Sequence, residues 1–278
     1  MSKREEQAVQ NFLDGCNCAQ SVLLAYADVL GLTREQAAMV SVGFGGGMGR
    51  LRLHCGAFSA AVMLAGVLEG EDGDKKEHRP QTYARVQEIH RRFVERNGTV
   101  SCAELLGRAV LEQYPAGFVD QWGQVQLLLV GGLTGTEHFA GGRYAGFTQR
   151  VGDGWRMVLD GDRLTAGTIH HEIAHILDGL LTEAGVLTEA DWMALCPGGF
   201  SYGPEQALYP DFFVDEYAMT DLREDRARTF EEAMLQGPGA YADAPALWLK
   251  LEYFSRAIRT HFDTTLWPEK TVWELGLE

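Results

Sequence analysis

The sequence predicts a two-domain chain, with an all-helical N-terminal domain followed by an α+β domain, and three observations support this division. From residue 5 to about residue 107, apolar residues recur at helical spacing and no segment requires a strand. After about residue 111, strand-like runs appear, beginning with Val125–Val130. The chain has 278 residues, which is long enough for two domains. We therefore expect domains at residues 1–110 and 111–278.

Local patterns predict each helix of the N-terminal domain. Thr33 and Gln36 form a capping box, which predicts the start of a helix. Gly31 and the Asn97-Gly98 pair predict helix ends, since glycine is favoured just beyond a helix. A glycine-rich loop at 43–49 must adopt backbone conformations that other residues avoid. The predicted helices cover residues 5–13, 18–30, 33–42, 55–68 and 81–96, and a short one begins at residue 101.

The C-terminal domain is predicted to begin with strands and end with helices. Val125–Val130 is a β-favouring run that two glycines terminate, and two further runs flank a turn at 152–154. Apolar residues at helical spacing predict the helices that follow. The predicted strands are 125–130, 143–151 and 155–159, and the predicted helices are 165–181, 189–195, 222–235 and 245–262.

Composition restricts the classes of function. The formal net charge of −15, with no Lys or Arg run to offset it, argues against a nucleic-acid partner. The N-terminus shows no apolar signal segment, and the longest apolar run, 55–68, is shorter than the roughly 20 residues that cross a bilayer. We therefore expect a cytoplasmic protein without a membrane span. Its 5 cysteines are then expected to be reduced thiols for redox or metal chemistry.

The sharpest local signal is the HExxH pattern of His171, Glu172 and His175 in a predicted helix. Residues four apart share a helix face, so both imidazoles can bind one ion. Glu172 lies beside them and is the candidate general base. Asp178, on the same face as His171, would orient that imidazole or remain a solvated acid. His170 is expected to be a neighbour and not a ligand, because one helical residue turns it by about 100°. The alternative is a core helix with buried, hydrogen-bonded histidines.

A catalytic metal site also needs a third protein ligand. The acidic segment from residue 215 to residue 227 supplies three candidates, Glu216, Glu224 and Asp225. Two histidines elsewhere have no partner pattern and are expected to be ordinary surface or core residues, namely His138 and His261.

Residues 114–262 resemble the zinc metallopeptidase domain typified by the catalytic domain of anthrax lethal factor, which is a gluzincin. The resemblance rests on the HExxH pattern, on Tyr217 seven residues before Glu224, and on the E-x-x-A-x-x-F spacing completed by Ala227 and Phe230. Arg228 is a departure, since this family usually carries an acidic residue there.

This resemblance implies a zincin-like α+β fold and a gluzincin zinc site, in which Glu224 leads the candidates for third ligand. Tyr217 would stabilise the oxyanion, and Glu172 would act as the base. The implied cofactor is Zn²⁺, although Co²⁺ or Mn²⁺ could use the same donor atoms. The implied zinc ligands are His171, His175 and Glu224.

Residues 12–107 resemble a second family, the C_GCAxxG_C_C domain, a small helical module described as redox-active. The matching elements are Asn17-Cys18-Ala19, the glycine loop at 43–49, Cys55-Gly56-Ala57 and Ser101-Cys102-Ala103. The resemblance implies that Cys18, Cys55 and Cys102 form a redox or second metal site, with Ala60 replacing a family glycine. The physical expectation is that thiols at helix N-termini shift toward thiolate. The alternative is that these cysteines only pack in the core.

Together these features predict a zinc metallopeptidase that acts on a peptide or protein substrate and carries a redox-responsive or metal-responsive helical domain. The substrate is expected to lie extended along an edge strand, the leading candidate being residues 143–151. One alternative is a cysteine-based redox or metal-handling protein with a catalytically silent zincin scaffold. Another is a non-enzymatic interaction protein in which both sites are structural.

Overall fold

The structure is a computed structural model that describes residues 2–69, 76–134, 145–203 and 209–277. The chain divides into two compact units, Met1–Arg108 and Ala109–Glu278, close to the boundary expected after residue 110. The described residues are mostly helical and include one three-stranded mixed sheet, which agrees with a helical unit followed by an α+β unit. Among the described helices, none has the length and apolar character that a bilayer crossing requires.

Unit 1 is built from helices whose first turns are capped by side chains. Ser2, Asn17 and Thr33 each accept a backbone N–H and complete a capping box at the starts of the first three helices. The core of the unit forms where the second helix packs against the long apolar one, through Ala19 and Ala60 among others. The helices are α1 (Lys3–Leu13), α2 (Cys18–Ala25), α3 (Arg34–Ser41), the single turn α4 (Gly45–Met48), α5 (Gly56–Glu69), α6 (Arg79–Asn97) and α7 (Cys102–Leu111).

Helix α2 ends at Ala25, so the predicted helix from 18 to 30 is too long. Beyond Ala25 the backbone forms tighter turns, in which the N–H of Tyr26 donates to the carbonyl of Leu23 at 3.1 Å. Gly31 does have the positive φ expected of a terminating glycine, at 63°, but it ends this turn region and not the helix.

The turn α4 and the residues after it run through left-handed backbone conformations. Every residue from Gly46 to Arg50 has a φ between 60° and 73°. The glycine-rich sequence allows this conformation, because glycine has no Cβ to clash with the following carbonyl. The packing around Gly47 also requires glycine, because a Cβ at this position would lie only 2.6 Å from the Cβ of Cys102. The loop therefore comes directly against the start of α7.

Unit 2 contains the sheet, and its three strands fall where the sequence predicts them. The spatial order is β1-β3-β2, with β1 parallel and β2 antiparallel to β3. Gly152, with φ of 59°, forms the tight turn that joins β2 to β3. Residues 143 and 144 of the predicted second strand lie outside the described residues. The strands are β1 (Val125–Val130), β2 (Gly146–Val151) and β3 (Gly154–Asp160).

The helices of unit 2 cover one side of this sheet and enclose an aromatic core. Helix α8 lies so close to β3 that a Cβ on Gly179 would meet the Trp155 ring at 2.0 Å. Helix α10 packs along α8 and brings Phe230 against Tyr114 and Trp273. The helices are α8 (Ala166–Glu183), α9 (Glu189–Met193), α10 (Leu222–Gln236) and α11 (Pro245–His261).

Candidate functional site

Helix α8 carries the HExxH pattern and begins at a capped turn. The hydroxyl of Thr165 accepts the backbone N–H of Thr168 at 3.0 Å, which fixes the start of the helix one turn before the histidines. Most of the helix is buried, including Ile173 and Ile176 on the sides that pack into the unit. The histidines therefore project from a rigid element.

The two histidines of the pattern converge with one glutamate from α10. The Nε2 atoms of His171 and His175 lie 3.2 Å apart. The Oε2 atom of Glu224 lies 3.1 Å from Nε2 of His171 and 3.5 Å from Nε2 of His175. Within the described part of the chain, these three residues form the group whose ligand-type atoms all lie within 4.8 Å of one another. This is the size of cluster that one metal ion can bridge.

Helix α10 presents Glu224 in its first turn. Asp221 caps this helix by accepting the backbone N–H of Arg223 at 2.8 Å. A carboxylate in the first turn is favoured by the positive end of the helix dipole. The other two candidates for third ligand lie elsewhere: Asp225 is fully buried among core partners, and Glu216 is exposed.

The donor atoms of the cluster fit a divalent cation of borderline hardness. Glu224 Oε2 is buried without a hydrogen-bond partner in the described residues, although two ring nitrogens face it. Burial raises the pKa of Glu224, but the two imidazoles outweigh it and hold that pKa well below the usual range. Burial lowers the pKa of His171, yet Glu224 and Glu231 raise it to about 9. Two imidazoles and an ionised carboxylate are a donor set that suits Zn²⁺.

Glu172 lies beside the cluster at the foot of strand β2. Its side chain is 3% exposed, its Oε2 has no hydrogen-bond partner in the described residues, and burial raises its pKa. The hydroxyl of Thr148 in β2 donates to the backbone carbonyl of Glu172 at 3.2 Å. Strand and helix are so close that a Cβ on Gly146 would lie 3.0 Å from Oε1 of Glu172. The carboxylate is thus desolvated and held near the histidines.

Tyr217 stands at the mouth of the site. It begins the 3₁₀ turn Tyr217–Met219, is 49% exposed, and its ring centre lies 6.1 Å from that of His171. Its side chain lines the cleft over the cluster, and its hydroxyl is a hydrogen-bond donor. The structure therefore brings the sequence-predicted catalytic and metal-binding residues to one place.

The carboxylate that contacts the His171 imidazole is that of Glu231 and not, as predicted, that of Asp178. Asp178 accepts from Arg226 at 2.6 Å and from Arg223 at 3.2 Å, while Oε2 of Glu231 lies 3.1 Å from Nδ1 of His171. Asp178 lies nearly two helical turns from His171, about 10 Å along the axis, so its short side chain cannot reach the imidazole. Burial raises the pKa of Glu231, but His171 and Arg228 outweigh it and lower that pKa.

Among the described residues, two further histidines considered from the sequence, His170 and His261, take no part in the cluster. His170 is buried on a different face of α8, where its Nδ1 lies 2.8 Å from the hydroxyl of Tyr114. His261 is exposed and packs its ring against Phe262. His138 lies outside the described residues.

A cleft of about 660 Å³ opens over the cluster. One wall is strand β2, which among the described strands pairs on one side only. The opposite wall is the start of α10 and the turn that carries Tyr217. A charged pair, Asp215 and Arg228, also lines the cleft, with an oxygen–nitrogen distance of 2.9 Å.

The three cysteines singled out in the sequence lie at three helix starts in unit 1. Cys18 is the first residue of α2, Cys102 is the first residue of α7, and Cys55 immediately precedes α5. A bridge between His54 and Ser101 ties two of these starts together, with the Cys102 N–H donating to Leu53 at 2.7 Å. All five cysteines of the chain are free thiols in the structure.

The expected shift toward thiolate is wrong for Cys18. Burial raises the pKa of its thiol, and the nearby charges of Cys55 and Cys102 raise it further. Backbone N–H groups, including that of Gly46, act in the opposite direction but do not compensate. The sequence does not show that Cys18 is buried. Its burial raises the pKa of the thiol by more than the helix N-terminus lowers it. The effect of Cys55 and Cys102 on the pKa of Cys18 indicates that both residues lie near it.

The region that contains these three cysteines matches a known protein family. Residues 16–122 match a family model described as "Putative redox-active protein (C_GCAxxG_C_C)". The N-terminal region is a C_GCAxxG_C_C domain. An uncharacterized protein from Archaeoglobus fulgidus is 28% identical over 111 residues, which cover 37% of this chain and 74% of that protein. No solved structure matches the chain.

The C_GCAxxG_C_C match confirms one of the two resemblances stated from the sequence, and no family match supports the other. Ala60, the departure from the family glycine, is fully buried between α2 and α5, where a methyl group fills the core. Two cysteines lie apart from the three at the helix starts: Cys16 precedes the C_GCAxxG_C_C element at Cys18, and Cys196 is buried in unit 2.

Proposed function

We propose that residues 109–278 form a zinc-dependent peptidase. The observation that carries this proposal is the convergence of His171, His175 and Glu224 beneath an open cleft, with the buried carboxylate of Glu172 beside them. A structural metal site normally has four protein ligands, whereas three ligands under a cleft leave a position open for water or substrate.

The three ligand residues would hold Zn²⁺ through two imidazole nitrogens and one carboxylate oxygen. When bound, Zn²⁺ supplies a Lewis acid that polarises a carbonyl and acidifies water. Glu231 keeps the proton of His171 on Nδ1, which leaves Nε2 as the free donor atom on the cluster side. The buried positions of these side chains limit their movement and preserve the geometry.

Glu172 would act as the general base and then as the general acid. Its carboxylate takes a proton from the water that attacks the peptide carbonyl, and returns it to the departing amine nitrogen. Burial supports this role because it raises the pKa of the carboxyl and brings it closer to the pH at which the protein works. Tyr217 would donate its hydroxyl hydrogen to the oxyanion, whose charge develops only in the transition state.

The substrate would be an extended peptide segment bound along β2. Gly146, Phe147 and Thr148 line the cleft, and strand pairing provides backbone hydrogen bonds to any peptide sequence. Side-chain preference would then depend on the cleft walls, which carry both acidic and basic groups. The pairing explains how a peptide carbonyl can be held over the cluster in a fixed register.

Metal analysis of four proteins tests the proposal: the native chain, Glu224→Gln, Glu172→Gln and Glu183→Gln. Glu183 lies on the same helix as the histidines but is exposed and pairs with Arg150, so it is the matched control. We expect zinc in all but Glu224→Gln, and hydrolysis of a peptide library by the native and Glu183→Gln proteins only. Zinc retained by Glu224→Gln, or full activity in Glu172→Gln, would contradict the proposal.

The C_GCAxxG_C_C match favours a second candidate function, a thiol-based redox protein centred on unit 1. Two of the three neighbouring thiols would exchange with an external disulfide, which is reduced to two thiols as the protein disulfide forms. At least two of the three variants Cys18→Ser, Cys55→Ser and Cys102→Ser would then lose exchange, and Cys16→Ser would leave it intact. Such exchange without any hydrolysis by the native chain would favour this function over the peptidase.

A further inference from the structure

A continuous chain of four charged or ionisable side chains runs from the Tyr217 turn to the metal cluster. In order, its members are Asp215, Arg228, Glu231 and His171. We propose that Arg228 is a positioning residue that couples the turn carrying Tyr217 to the orientation of the metal ligand His171. This inference rests on the proposed function, since it concerns the same metal site.

The inner end of the chain fixes the imidazole of His171. Oε2 of Glu231 lies 3.1 Å from Nδ1, and on the far side of the ring Nε2 lies 3.1 Å from Glu224. A carboxylate at Nδ1 holds the tautomer in which Nε2 carries the free electron pair, and it also fixes the ring plane. Glu231 is itself buried, so its own position depends on the partner that holds its carboxylate.

Arg228 provides that partner, and its guanidinium binds the carboxylates on either side of it in the chain, those of Glu231 and Asp215. Nη1 donates to Oε2 of Glu231, while Nε and Nη2 lie 2.9 Å from Oδ2 of Asp215. A guanidinium presents its donors in a planar fork, which allows one side chain to bind two carboxylates in fixed directions. A lysine has the same charge but no fork. The metallopeptidase family that this chain resembles has an acidic residue at the position of Arg228. In this chain the carboxylate that contacts the His171 imidazole is that of Glu231.

The outer end of the chain fixes the turn. Oδ1 of Asp215 accepts the backbone N–H of Ala218 at 2.9 Å, and Ala218 is the middle residue of the turn Tyr217–Met219. Asp215 therefore sets the direction of the turn with one carboxylate oxygen and binds Arg228 with the other. Among the described residues, Asp215 contacts Arg228 and the turn but none of the three ligand residues, so Arg228 provides its contact route to His171.

A double-mutant cycle measured by zinc affinity tests this coupling on the full chain. The variants are Asp215→Asn, Arg228→Gln and the double variant, with zinc affinity obtained by competition with a chromophoric chelator. Arg228→Lys tests geometry at constant charge. Arg223→Gln is the matched control, because it removes a guanidinium from the same helix and cleft wall without touching the chain.

We expect Arg228→Gln and Arg228→Lys each to weaken zinc binding by about tenfold or more, which is typical of losing support behind a metal ligand. Asp215→Asn should weaken it several-fold in the native background and have no effect in the Arg228→Gln background. Arg223→Gln should bind zinc as tightly as the native chain or more tightly, since it removes positive charge.

Two results would overturn the inference: equal zinc affinities in Arg228→Gln and Arg223→Gln, or an Asp215→Asn effect that persists without Arg228. If Arg228→Gln folds poorly, Arg228→Lys, which keeps the positive charge, takes its place in the cycle with Asp215→Asn. Zinc that stays bound in Glu224→Gln would instead reject the proposed metal site, which separates the two failures.

Discussion

The hydroxyl of Tyr114 lies 2.8 Å from Nδ1 of His170, and both side chains are buried. His170 neighbours the first zinc-ligand candidate in sequence, but its imidazole belongs to the aromatic core. Burial lowers the pKa of His170 from 6.5 to about 4, with Glu231 acting weakly in the opposite direction. The imidazole is therefore neutral in the folded unit at pH values where it is protonated in the unfolded chain.

Acid is expected to destabilise unit 2 through His170. Between pH 6.5 and about 4 the unfolded chain binds the additional proton, so this contribution to stability is complete above pH 6.5 and is lost as the pH falls. The full loss amounts to about 3 kcal/mol below pH 4. All 6 tryptophans lie in unit 2, so tryptophan fluorescence during urea unfolding reports this unit alone. In His170→Gln the pH dependence should be smaller by this amount, and identical profiles would contradict the assignment.

Breaking the buried pair of Asp225 and Lys250 by removing one partner should strongly destabilise unit 2. Both side chains are fully buried, and Lys250 Nζ donates to Asp225 at 2.7 Å. Lys250→Met leaves a carboxylate buried with only neutral donors, which costs about 3–5 kcal/mol. Arg256→Gln breaks an exposed pair on the same helix and should cost less than about 1 kcal/mol. Equal losses in the free energy of urea unfolding for Lys250→Met and Arg256→Gln would contradict this prediction.

The close approach of the glycine loop to α7 predicts a large difference between two alanine variants. In Gly47→Ala the new Cβ would lie 2.6 Å from the Cβ of Cys102, whereas in Gly43→Ala it meets nothing within 4 Å. Gly47 also has φ of 73°, which alanine adopts with strain. We expect Gly47→Ala to destabilise unit 1 by about 1–3 kcal/mol. Hydrogen exchange of α2, α5 and α7 should be faster in this variant than in Gly43→Ala.

The thiol of Cys18 should react slowly with alkylating reagents at neutral pH. Its pKa is raised, first by burial and then by Cys55 and Cys102, and only the thiolate is nucleophilic. The rate, read from mass spectra of the labelled peptide, should reach its plateau at a higher pH than that of an ordinary thiol. Replacing Cys55 and Cys102 by Ser removes both neighbouring charges and should shift the profile to lower pH. An unchanged profile would mean that the three thiols do not interact.

The sequence predicts those parts of the site whose geometry depends on a single helix. His171, Glu172 and His175 are related by helical spacing, so their common position follows from the pattern once the helix is recognised. The choice among Glu216, Glu224 and Asp225 could not be made from spacing alone, because it depends on how α10 packs against α8. Resemblance to a family pointed to Glu224, and the structure places that residue at the histidines.

The partner of the His171 imidazole could not be predicted from α8 alone. Asp178 shares a helix with His171, and this made it visible in the sequence, whereas Glu231 reaches the ring from the neighbouring helix. A carboxylate seven residues after Glu224 lies on the same face of α10, and this spacing is the signal that would have revealed it. The burial of Cys18 is likewise a tertiary property, which the position of a thiol at a helix start does not reveal.

Gly146 sets the clearance between strand β2 and the carboxylate of Glu172, where a Cβ would lie 3.0 Å from Oε1. During evolution, any side chain at this position would displace either the base or the strand along which we propose that substrate binds. The neighbouring Phe147 is half exposed in the cleft and is open to replacement. Divergence among descendants of this chain is therefore expected to alter peptide preference through position 147, while position 146 remains glycine.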